Sequence, residues 1–422
     1  MRRVQHTVFS ISLFVNLALL LFCCSSEEPH ALYLTWKKDP TTTMTIQWIS
    51  SKSSETDVVE YRKVESEKKE TSWGKSEGIH FPLPQEVPYV MHIVELQSLE
   101  PNSSYQFRLK MSDHEYLFRT MPTDLKDGKS VTFLAGGDTN HRGVALFEDT
   151  NRAACKHEPF FVVFGGDLAY ACPKNKNQEE DSKLWLEWIA SYSKTMITPS
   201  GHLIPLLVTL GNHDVKGHYK GDPQDAPFFY SLFAMPGLPG YNVLRCSDYL
   251  SFYFLDSNHT NRIKGTQTKW LAYELAKDTN IMHRFAVYHV PAFPSVRQYK
   301  MYESASIRKH WVPLFEKYGL HVAFENNDHA YKRTYPMLQE KVHPSGVVYI
   351  GDGSWGTKPR IPKKAKETNY LAKTKSARQF VKVTLTEDSR EFWAITPDGE
   401  IIDHYIQFSL NTREKMLAHV PR

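Results

Sequence analysis

Five short runs of apolar residues in the later two thirds of the chain each end directly at side chains that can bind a metal ion. The runs cover residues 131–135, 160–164, 204–210, 284–288 and 321–324. They lead into Gly137-Asp138-Thr139-Asn140, Gly166-Asp167-Leu168-Ala169-Tyr170, Gly211-Asn212-His213-Asp214, His289 and Asn326-Asn327-Asp328-His329, in that order. A ligand-bearing end on every run restricts the chain to folds that bring strand ends together.

Helical patterns separate these apolar runs, for example at residues 183–189 and 267–275. Strands that are apolar on both faces and alternate with helices indicate a layered α/β domain. Such folds bind their ligands at the carboxyl edge of the sheet, so we expect the five strand ends to converge there. Their mixture of carboxylate, amide and imidazole groups suits iron, zinc or manganese better than a soft metal.

Residues 31–120 have a different pattern. Short alternating strands, such as those at residues 31–36, 44–49 and 105–110, are separated by polar turns without a helical period. That pattern favours a β-sandwich. We therefore predict a sandwich domain over residues 30–122 and an α/β catalytic domain over residues 128–410.

The amino terminus has the layout of a secretory signal peptide. A short basic start, Met1-Arg2-Arg3, precedes an apolar run from Val8 to Phe22, and small residues follow it. The run is shorter than the ~20 residues of a membrane-spanning helix, so we predict that residues 1–26 are cleaved and that the protein is secreted or extracytoplasmic. A lipid anchor on Cys23 or Cys24 is the alternative. No other stretch is apolar enough to span a bilayer.

The net charge and the cysteine count limit which ligands and disulfides the chain can have. The chain has 51 basic and 47 acidic residues, a net charge of +4, which argues against a nucleic-acid binder. Beyond the leader only Cys155, Cys172 and Cys246 remain. Their odd number permits one disulfide at most, and we favour buried or free thiols without a chemical role.

The ordered motifs Gly-Asp, Gly-Asp-x-x-Tyr, Gly-Asn-His-Asp, His and x-x-His resemble those of the calcineurin-like metallophosphoesterases, and in particular the purple acid phosphatases. Two residues select that branch: Asn140 replaces a histidine of the general family, and Tyr170 stands three residues after Asp167. The resemblance implies a fibronectin III-like β-sandwich with Trp36 and Trp48, followed by a four-layer α-β-β-α metallophosphoesterase domain.

The resemblance also implies two metal ions. The first, Fe(III), would be held by Asp138, Tyr170 and His329, with Asp167 bridging to the second. The second, a divalent Zn, Fe or Mn ion, would be held by Asn212 and His289 and by the residue at the position of Asn327. His213 would act as the catalytic residue, stabilising charge or protonating the leaving group, and Asn212 and His213 would contact the phosphoryl group.

The chain departs from the family pattern at the last motif. Where the family has Gly-His-x-His, this chain has Asn326-Asn327-Asp328-His329, so Asn327 stands at a histidine position. A carboxamide is a weaker ligand for Zn or Fe(II), which predicts a weaker second site unless Asp328 swings in. The tandem histidines that help the plant enzymes of that family hold phosphate are also not recognisable after His289, and Arg297, His310 or residues 358–366 could substitute for them.

Together these features predict a secreted binuclear phosphatase that hydrolyses phosphate monoesters by attack of a metal-bound hydroxide. A phosphodiesterase or nucleotide hydrolase on the same scaffold is one alternative. A phosphate-binding protein with a degraded second metal site is the other. The expected partner is a phosphate ester; the natural substrate and the oligomeric state stay open.

Overall fold

The computed structural model describes residues 28–51, 56–65, 72–140, 142–351 and 353–409. The predicted signal peptide at residues 1–26 lies outside this part of the chain, as does the last residue of the predicted catalytic domain. In the described part, no helix has both the length and the apolar character that a bilayer crossing requires.

The strands of the first domain form two antiparallel sheets of four strands each, in the orders β1-β2-β6-β5 and β4-β3-β7-β8. Their bounds are β1 Ala31–Thr35, β2 Met44–Ser51, β3 Val58–Lys63, β4 Gly74–Glu77, β5 Ile79–Pro82, β6 Tyr89–Leu96, β7 Ser104–Leu109 and β8 Glu115–Arg119. The predicted β-sandwich is confirmed.

The alternation of buried and exposed residues along the strands places one face of each sheet in the core of the sandwich. In β7 every second residue is buried, so Tyr105, Phe107 and Leu109 face inward, where they join Trp36 and Trp48 in one apolar cluster. Strands β4, β5 and β8 are not among the predicted strands, since they are short and largely polar or exposed.

The remaining strands form two larger sheets, in the orders β11-β10-β9-β21-β22-β23 and β12-β13-β14-β15-β19-β16-β20, and a small β17-β18 hairpin. Their bounds are β9 Val131–Gly136, β10 Phe161–Phe164, β11 Leu206–Val208, β12 Asn242–Cys246, β13 Leu250–Phe254, β14 His283–Val287, β15 Val322–Glu325, β16 Tyr331–Thr334, β17 Met337–Leu338, β18 Lys341–Val342, β19 Val348–Gly351, β20 Leu371–Lys375, β21 Phe380–Leu385, β22 Ser389–Ile395 and β23 Ile401–Phe408.

Six α-helices lie among the described residues: α1 Ala145–Cys155, α2 Ser182–Thr195, α3 Pro227–Leu232, α4 Thr266–Lys277, α5 Tyr302–His310 and α6 Val312–Lys317. Short 3₁₀ helices cover Asn212–Asp214, Pro223–Asp225 and Ala365–Glu367. Helix α2 begins at the Asp181 cap, whose carboxylate accepts the Lys183 N–H, a favourable N-terminal arrangement.

The two large sheets pack face to face, and helices cover their outer sides. Phe133 on β9 contacts Phe252, Phe285 and Phe324 of the opposite sheet at ring-centroid distances of 5.2, 5.7 and 6.0 Å. Helices α1 and α2 pack in the cluster on one side, and α4, α5 and α6 pack in the cluster on the other. The α-β-β-α architecture is therefore confirmed.

Parallel pairing is what positions the functional site. Strands β9, β10 and β11 are parallel to one another, as are β13, β14, β15 and β19. All five predicted ligand-bearing runs are strands of these parallel sets, so their carboxyl ends meet at common edges of the two sheets.

The three cysteines of the described part confirm the sequence interpretation. Cys155, Cys172 and Cys246 are all buried and unpaired. Burial raises the pKa of the Cys155 thiol to about 12 and also raises the pKa values of the other two. They therefore stay protonated and behave as small apolar core residues.

Candidate metal centre

The loops that follow the parallel strands carry the predicted ligands in an uncommon backbone conformation. Asp138, Asp167, Tyr170, Asn327 and His329 have φ values of 53°, 52°, 57°, 77° and 54°. This left-handed region costs of order 1–3 kcal/mol for residues other than glycine, and such residues cluster at functional sites. Five of them at neighbouring strand ends mark this edge as the site.

Glycine lets two of these loops approach each other. Gly166 has a φ of 88°, and a Cβ atom added to it would lie 2.5 Å from the backbone nitrogen of Gly211. Only glycine fits such a position. Contact between the loops after β10 and β11 in turn brings Asp167 beside Asn212.

A first group of ligand atoms surrounds Asp138. Its Oδ1 lies 2.8 Å from His329 Nε2 and 3.1 Å from the Tyr170 hydroxyl, which is itself 3.1 Å from His329 Nε2. Ligand atoms around a metal ion with bonds of about 2.0–2.2 Å lie about 3 Å apart. The carboxylate, phenol and imidazole are therefore spaced as three ligands of one ion would be.

A second group surrounds His289. Its Nε2 lies 3.3 Å from Asp167 Oδ2 and 3.2 Å from Asn212 Oδ1. The other ring nitrogen, Nδ1, is 2.8 Å from the Gly165 carbonyl oxygen, and donating its proton there leaves the Nε2 lone pair directed at the carboxylate. This is the usual support for a metal-binding histidine.

The ligand group around Asp138 and the ligand group around His289 lie next to each other. Asp138, Asp167 and His289 are all buried, and each offers one ligand atom within 4.8 Å of the others. Burial acts to lower the pKa of His289, but the negative charges of Asp167 and Asp138 outweigh it and raise that pKa to about 9. The potential that stabilises a proton on this buried ring would equally stabilise a metal cation.

The charges in the site also shift the pKa values of Asp167 and Tyr170. Burial acts to raise the pKa of Asp167, yet His289 and His213 hold it well below its usual range. Burial, together with Asp138 and Asp167, raises the pKa of Tyr170 well above 10. A phenolate at Tyr170 therefore requires a strongly positive partner such as a trivalent metal ion.

Asn327 lies at this edge, but its side chain is already engaged. Its backbone N–H donates to Asp138 Oδ2 at 2.8 Å, whereas its Oδ1 accepts a hydrogen bond from Arg297 Nη2 at 2.6 Å. Among the described residues its buried Nδ2 finds no partner. The oxygen that a second metal would need is thus bonded to a guanidinium.

Asp328 does not take over the role of ligand. Its Oδ2 accepts the backbone N–H groups of Val296 at 2.6 Å and Arg297 at 3.2 Å. The buried carboxylate holds the 296–297 loop in place instead, and the alternative in which Asp328 swings toward the metal centre is not the arrangement found.

His213 lies over the first group of ligands. Its ring stacks on Tyr170 at a centroid distance of 4.5 Å, and its backbone N–H donates to Asp167 Oδ1 at 2.7 Å. The half-buried imidazole is therefore next to both ligand groups without its side chain belonging to either. His310, by contrast, ends α5 and forms no hydrogen bond with these ligands in the described part of the chain.

Two further residues, Asp214 and His218, belong to the site although sequence reasoning gave them no role. Asp214 accepts the N–H groups of Gly211, Asp167 and Leu168 at 2.8–2.9 Å and so ties two ligand loops together. His218 packs edge-on against His213 at 4.7 Å, and burial lowers its pKa to about 4. Of these two, only Asp214 had a local signal, because it is part of Gly-Asn-His-Asp. Arg360, from the basic stretch 358–366 that the sequence offered for phosphate binding, donates from Nη1 to the Asn327 carbonyl oxygen at 3.3 Å.

Comparison with known proteins gives two family matches. Residues 29–120 match the model "Purple acid Phosphatase, N-terminal domain", and residues 114–349 match "Calcineurin-like phosphoesterase". Among curated proteins, the chain is 23% identical over 351 residues to Purple acid phosphatase 18 of Arabidopsis thaliana, covering 81% of this chain and 75% of that one. It is 22% identical over 305 residues to Purple acid phosphatase 15 of the same plant, covering 64% and 54%.

Solved structures show the same architecture. The purple acid phosphatase PPD1 from yellow lupin (Lupinus luteus) seeds superposes with a TM-score of 0.71 at 17% identity, over 90% of this chain and 74% of that one. PhoD superposes with a TM-score of 0.64 at 14% identity, over 91% and 90%. At these identities the likeness establishes the fold.

Proposed function

The chain belongs to the calcineurin-like phosphoesterases, in their purple acid phosphatase branch, and on that premise we propose that it hydrolyses phosphate monoesters at a centre of two metal ions. The observation that carries the proposal is the buried group of Asp138, Asp167 and His289, whose ligand atoms lie within 4.8 Å of one another. Two buried carboxylates this close need cations to offset their charge.

Asp138, Tyr170 and His329 would hold the first ion, and Asp167 would face both. A phenol whose pKa burial has raised favours an ion of high charge, which supports Fe(III) at this position. Asn212 and His289 would hold the second ion, a divalent Zn, Fe or Mn. With Asn327 bonded to Arg297, the second ion has fewer committed ligands, and the remaining oxygen-rich set tilts toward a hard ion such as Mn.

When bound, such a pair of ions supplies an acidified water molecule and neutralises charge on the phosphoryl group. The protein's own contribution is to orient the ester and to handle the leaving group. His213 is half-buried and stands beside both ligand groups, so its imidazole is the group that would protonate the departing alkoxide. Asn212 presents its oxygen to His289, which leaves its NH₂ group to donate to a phosphoryl oxygen.

The positive rim of the site favours a monoester. Arg297 Nη2 and Arg360 Nη1 both reach the Asn327 carbonyl oxygen, at 3.2 and 3.3 Å, so two guanidinium groups converge at Asn327, whose backbone N–H contacts the Asp138 carboxylate. A monoester brings one more negative charge than a diester, and planar guanidinium groups match phosphate oxygens well. A phosphodiesterase or nucleotide hydrolase would gain less from this pair.

Export is part of the proposal. The basic start and the apolar run from Val8 to Phe22 would direct the chain out of the cytoplasm, with cleavage after about residue 26. Mass spectrometry of the mature amino terminus would test this: a free terminus near residue 27 supports cleavage, whereas a lipid on Cys23 or Cys24 supports an anchor.

The test of the activity compares two model substrates. Purified full-length protein would be assayed with p-nitrophenyl phosphate and bis-p-nitrophenyl phosphate across acid to neutral pH, with and without added Mn²⁺, beside an Asp167→Asn control that lacks the shared ligand. We expect kcat/KM for the monoester to exceed that for the diester at least about tenfold, the value of one lost charge-assisted contact. A preference for the diester would refute monoester specificity, and no turnover under any metal condition would refute the phosphatase proposal.

A further inference from the structure

A second cluster of metal-ligand type lies in the sandwich domain, away from the strand ends described above. Asp57, His80 and His92 each offer one ligand atom, and these atoms lie within 4.8 Å of one another. His80 on β5 and His92 on β6 are directly paired across the two strands. Asp57 comes from the opposite sheet, since it immediately precedes β3.

The Asp57 carboxylate faces both imidazoles at once. Its Oδ1 lies 2.5 Å from His92 Nδ1, and its Oδ2 lies 2.7 Å from His80 Nδ1. The two histidine rings are 5.5 Å apart. One carboxylate therefore contacts Nδ1 of both histidines. With one carboxylate oxygen and the two Nδ1 atoms as ligands, the cluster offers the oxygen and nitrogen donors that zinc binds in proteins.

Both ring nitrogens of His92 have a polar partner. Nδ1 faces the Asp57 carboxylate, and Nε2 lies 2.8 Å from the Ser50 hydroxyl, whose oxygen is also 3.1 Å from the Ser51 carbonyl oxygen. These contacts fix the orientation of the ring. A metal ion between Nδ1 and the carboxylate would take the place of the proton that these two atoms share in the metal-free protein, and the Ser50 hydroxyl would accept the proton on Nε2.

Packing holds the ring in the same orientation. The His92 side chain is fully buried, and its ring stacks on Trp48 at 4.6 Å with an interplanar angle of 2°. A buried imidazole with one nitrogen facing a carboxylate and the other hydrogen-bonded to a hydroxyl is the arrangement that typically orients a metal-binding histidine.

We propose that Asp57, His80 and His92 form a site for a divalent transition metal such as Zn²⁺ that joins the two sheets of the sandwich. Three protein ligands leave one tetrahedral position for water, on the side where His80 reaches solvent with 38% of its side chain exposed. Metal bonds of about 2.0–2.1 Å require only a movement of less than about 1 Å by Asp57 away from the imidazoles.

The test counts zinc per full-length chain. Wild type, His80→Gln and Asp57→Asn would be equilibrated with Zn²⁺ in excess, freed of loose ion and analysed for bound metal. His404→Gln is the matched control, because His404 is also 38% exposed and also contacts one carboxylate, Glu391, at 2.7 Å, but has no second histidine.

We expect His80→Gln and Asp57→Asn to bind one zinc fewer per chain than wild type, and His404→Gln to match wild type. Ser50→Ala should weaken zinc binding at this site about 10- to 100-fold while keeping all three ligands. Circular dichroism would confirm that each variant is folded. Equal zinc content in wild type, His80→Gln and Asp57→Asn would overturn the proposal, whatever the metal content of the catalytic centre.

Discussion

Replacing Arg297 with methionine should strengthen the second metal site of the proposed phosphatase. In the structure, Arg297 Nη2 lies 2.6 Å from Asn327 Oδ1, the oxygen that stands where a metal ligand is expected. To coordinate an ion, that oxygen must first give up its bond to the guanidinium. Methionine keeps an unbranched stem and offers no donor.

The size of the effect follows from the bond that is removed. A hydrogen bond to a charged group contributes about 1.5–3 kcal/mol, which corresponds to about a 10- to 150-fold change in dissociation constant. Repulsion between the guanidinium and a divalent ion acts in the same direction, and solvent screening moderates it because 33% of the Arg297 side chain is exposed. We therefore expect Arg297→Met to tighten second-metal binding by at least about tenfold.

Isothermal titration of Mn²⁺ into iron-loaded protein would measure this constant directly. Arg360→Met is the matched control, since Arg360 reaches only the backbone oxygen of Asn327, at 3.3 Å, and its loss leaves the side-chain oxygen engaged. An unchanged dissociation constant in Arg297→Met, or an equal gain in Arg360→Met, would refute the idea that the guanidinium competes with the metal.

Four other outcomes are expected. His213→Ala should keep its full metal content, because only its backbone contacts Asp167, yet lose about 10²–10⁴-fold in kcat; unchanged turnover with p-nitrophenyl phosphate would remove it from the mechanism. Tyr170→Phe should abolish the visible absorption of the iron-loaded protein and leave its circular dichroism intact, whereas a colourless iron-loaded wild type would exclude a phenolate ligand. Asn327→His should tighten Mn²⁺ binding more in the Arg297→Met background than alone, and titration of both backgrounds checks this. Burial raises the pKa of Glu180 from 4.5 to about 7, so between these pH values the folded protein keeps a proton that the unfolded chain loses, and the free energy of unfolding falls as pH rises. Urea unfolding of wild type should therefore show a loss of stability between about pH 4.5 and about pH 8 that is about 3 kcal/mol larger than in Glu180→Gln. The same loss of stability in wild type and variant would contradict this assignment.

Much of the site was predictable because its residues follow buried parallel strands, whose carboxyl ends meet at common sheet edges. Each apolar run is a buried parallel strand, and the residue after each run is placed by the strand itself, as Asp138 is by β9 and His289 by β14. A short strand leaves its final residue little freedom to lie elsewhere. The chemical type of the ligands could therefore be inferred without any knowledge of the loops.

What escaped prediction depends on contacts between loops. The Arg297 guanidinium meets Asn327 across 30 positions of sequence, through a loop that has no periodic pattern. His80 faces His92 only because of the β5–β6 register, and β5 is too short and exposed to be recognised. Neither contact leaves a trace in hydrophobic spacing, which is the signal that secondary structure imprints on a sequence.

The backbone at the metal centre shows why such positions persist although they cost stability. Asp138, Asp167 and His329 combine left-handed conformation with buried ionisable side chains, and each feature alone destabilises a folded chain. Any substitution to glycine would relieve the conformational strain and any apolar residue would relieve the burial of polar groups. Local preference is normally violated in this way only where function compensates for it. Bound cations, as proposed for this centre, would satisfy the carboxylates, imidazoles and phenol together and so would compensate for the left-handed backbone and the buried charges at the same positions.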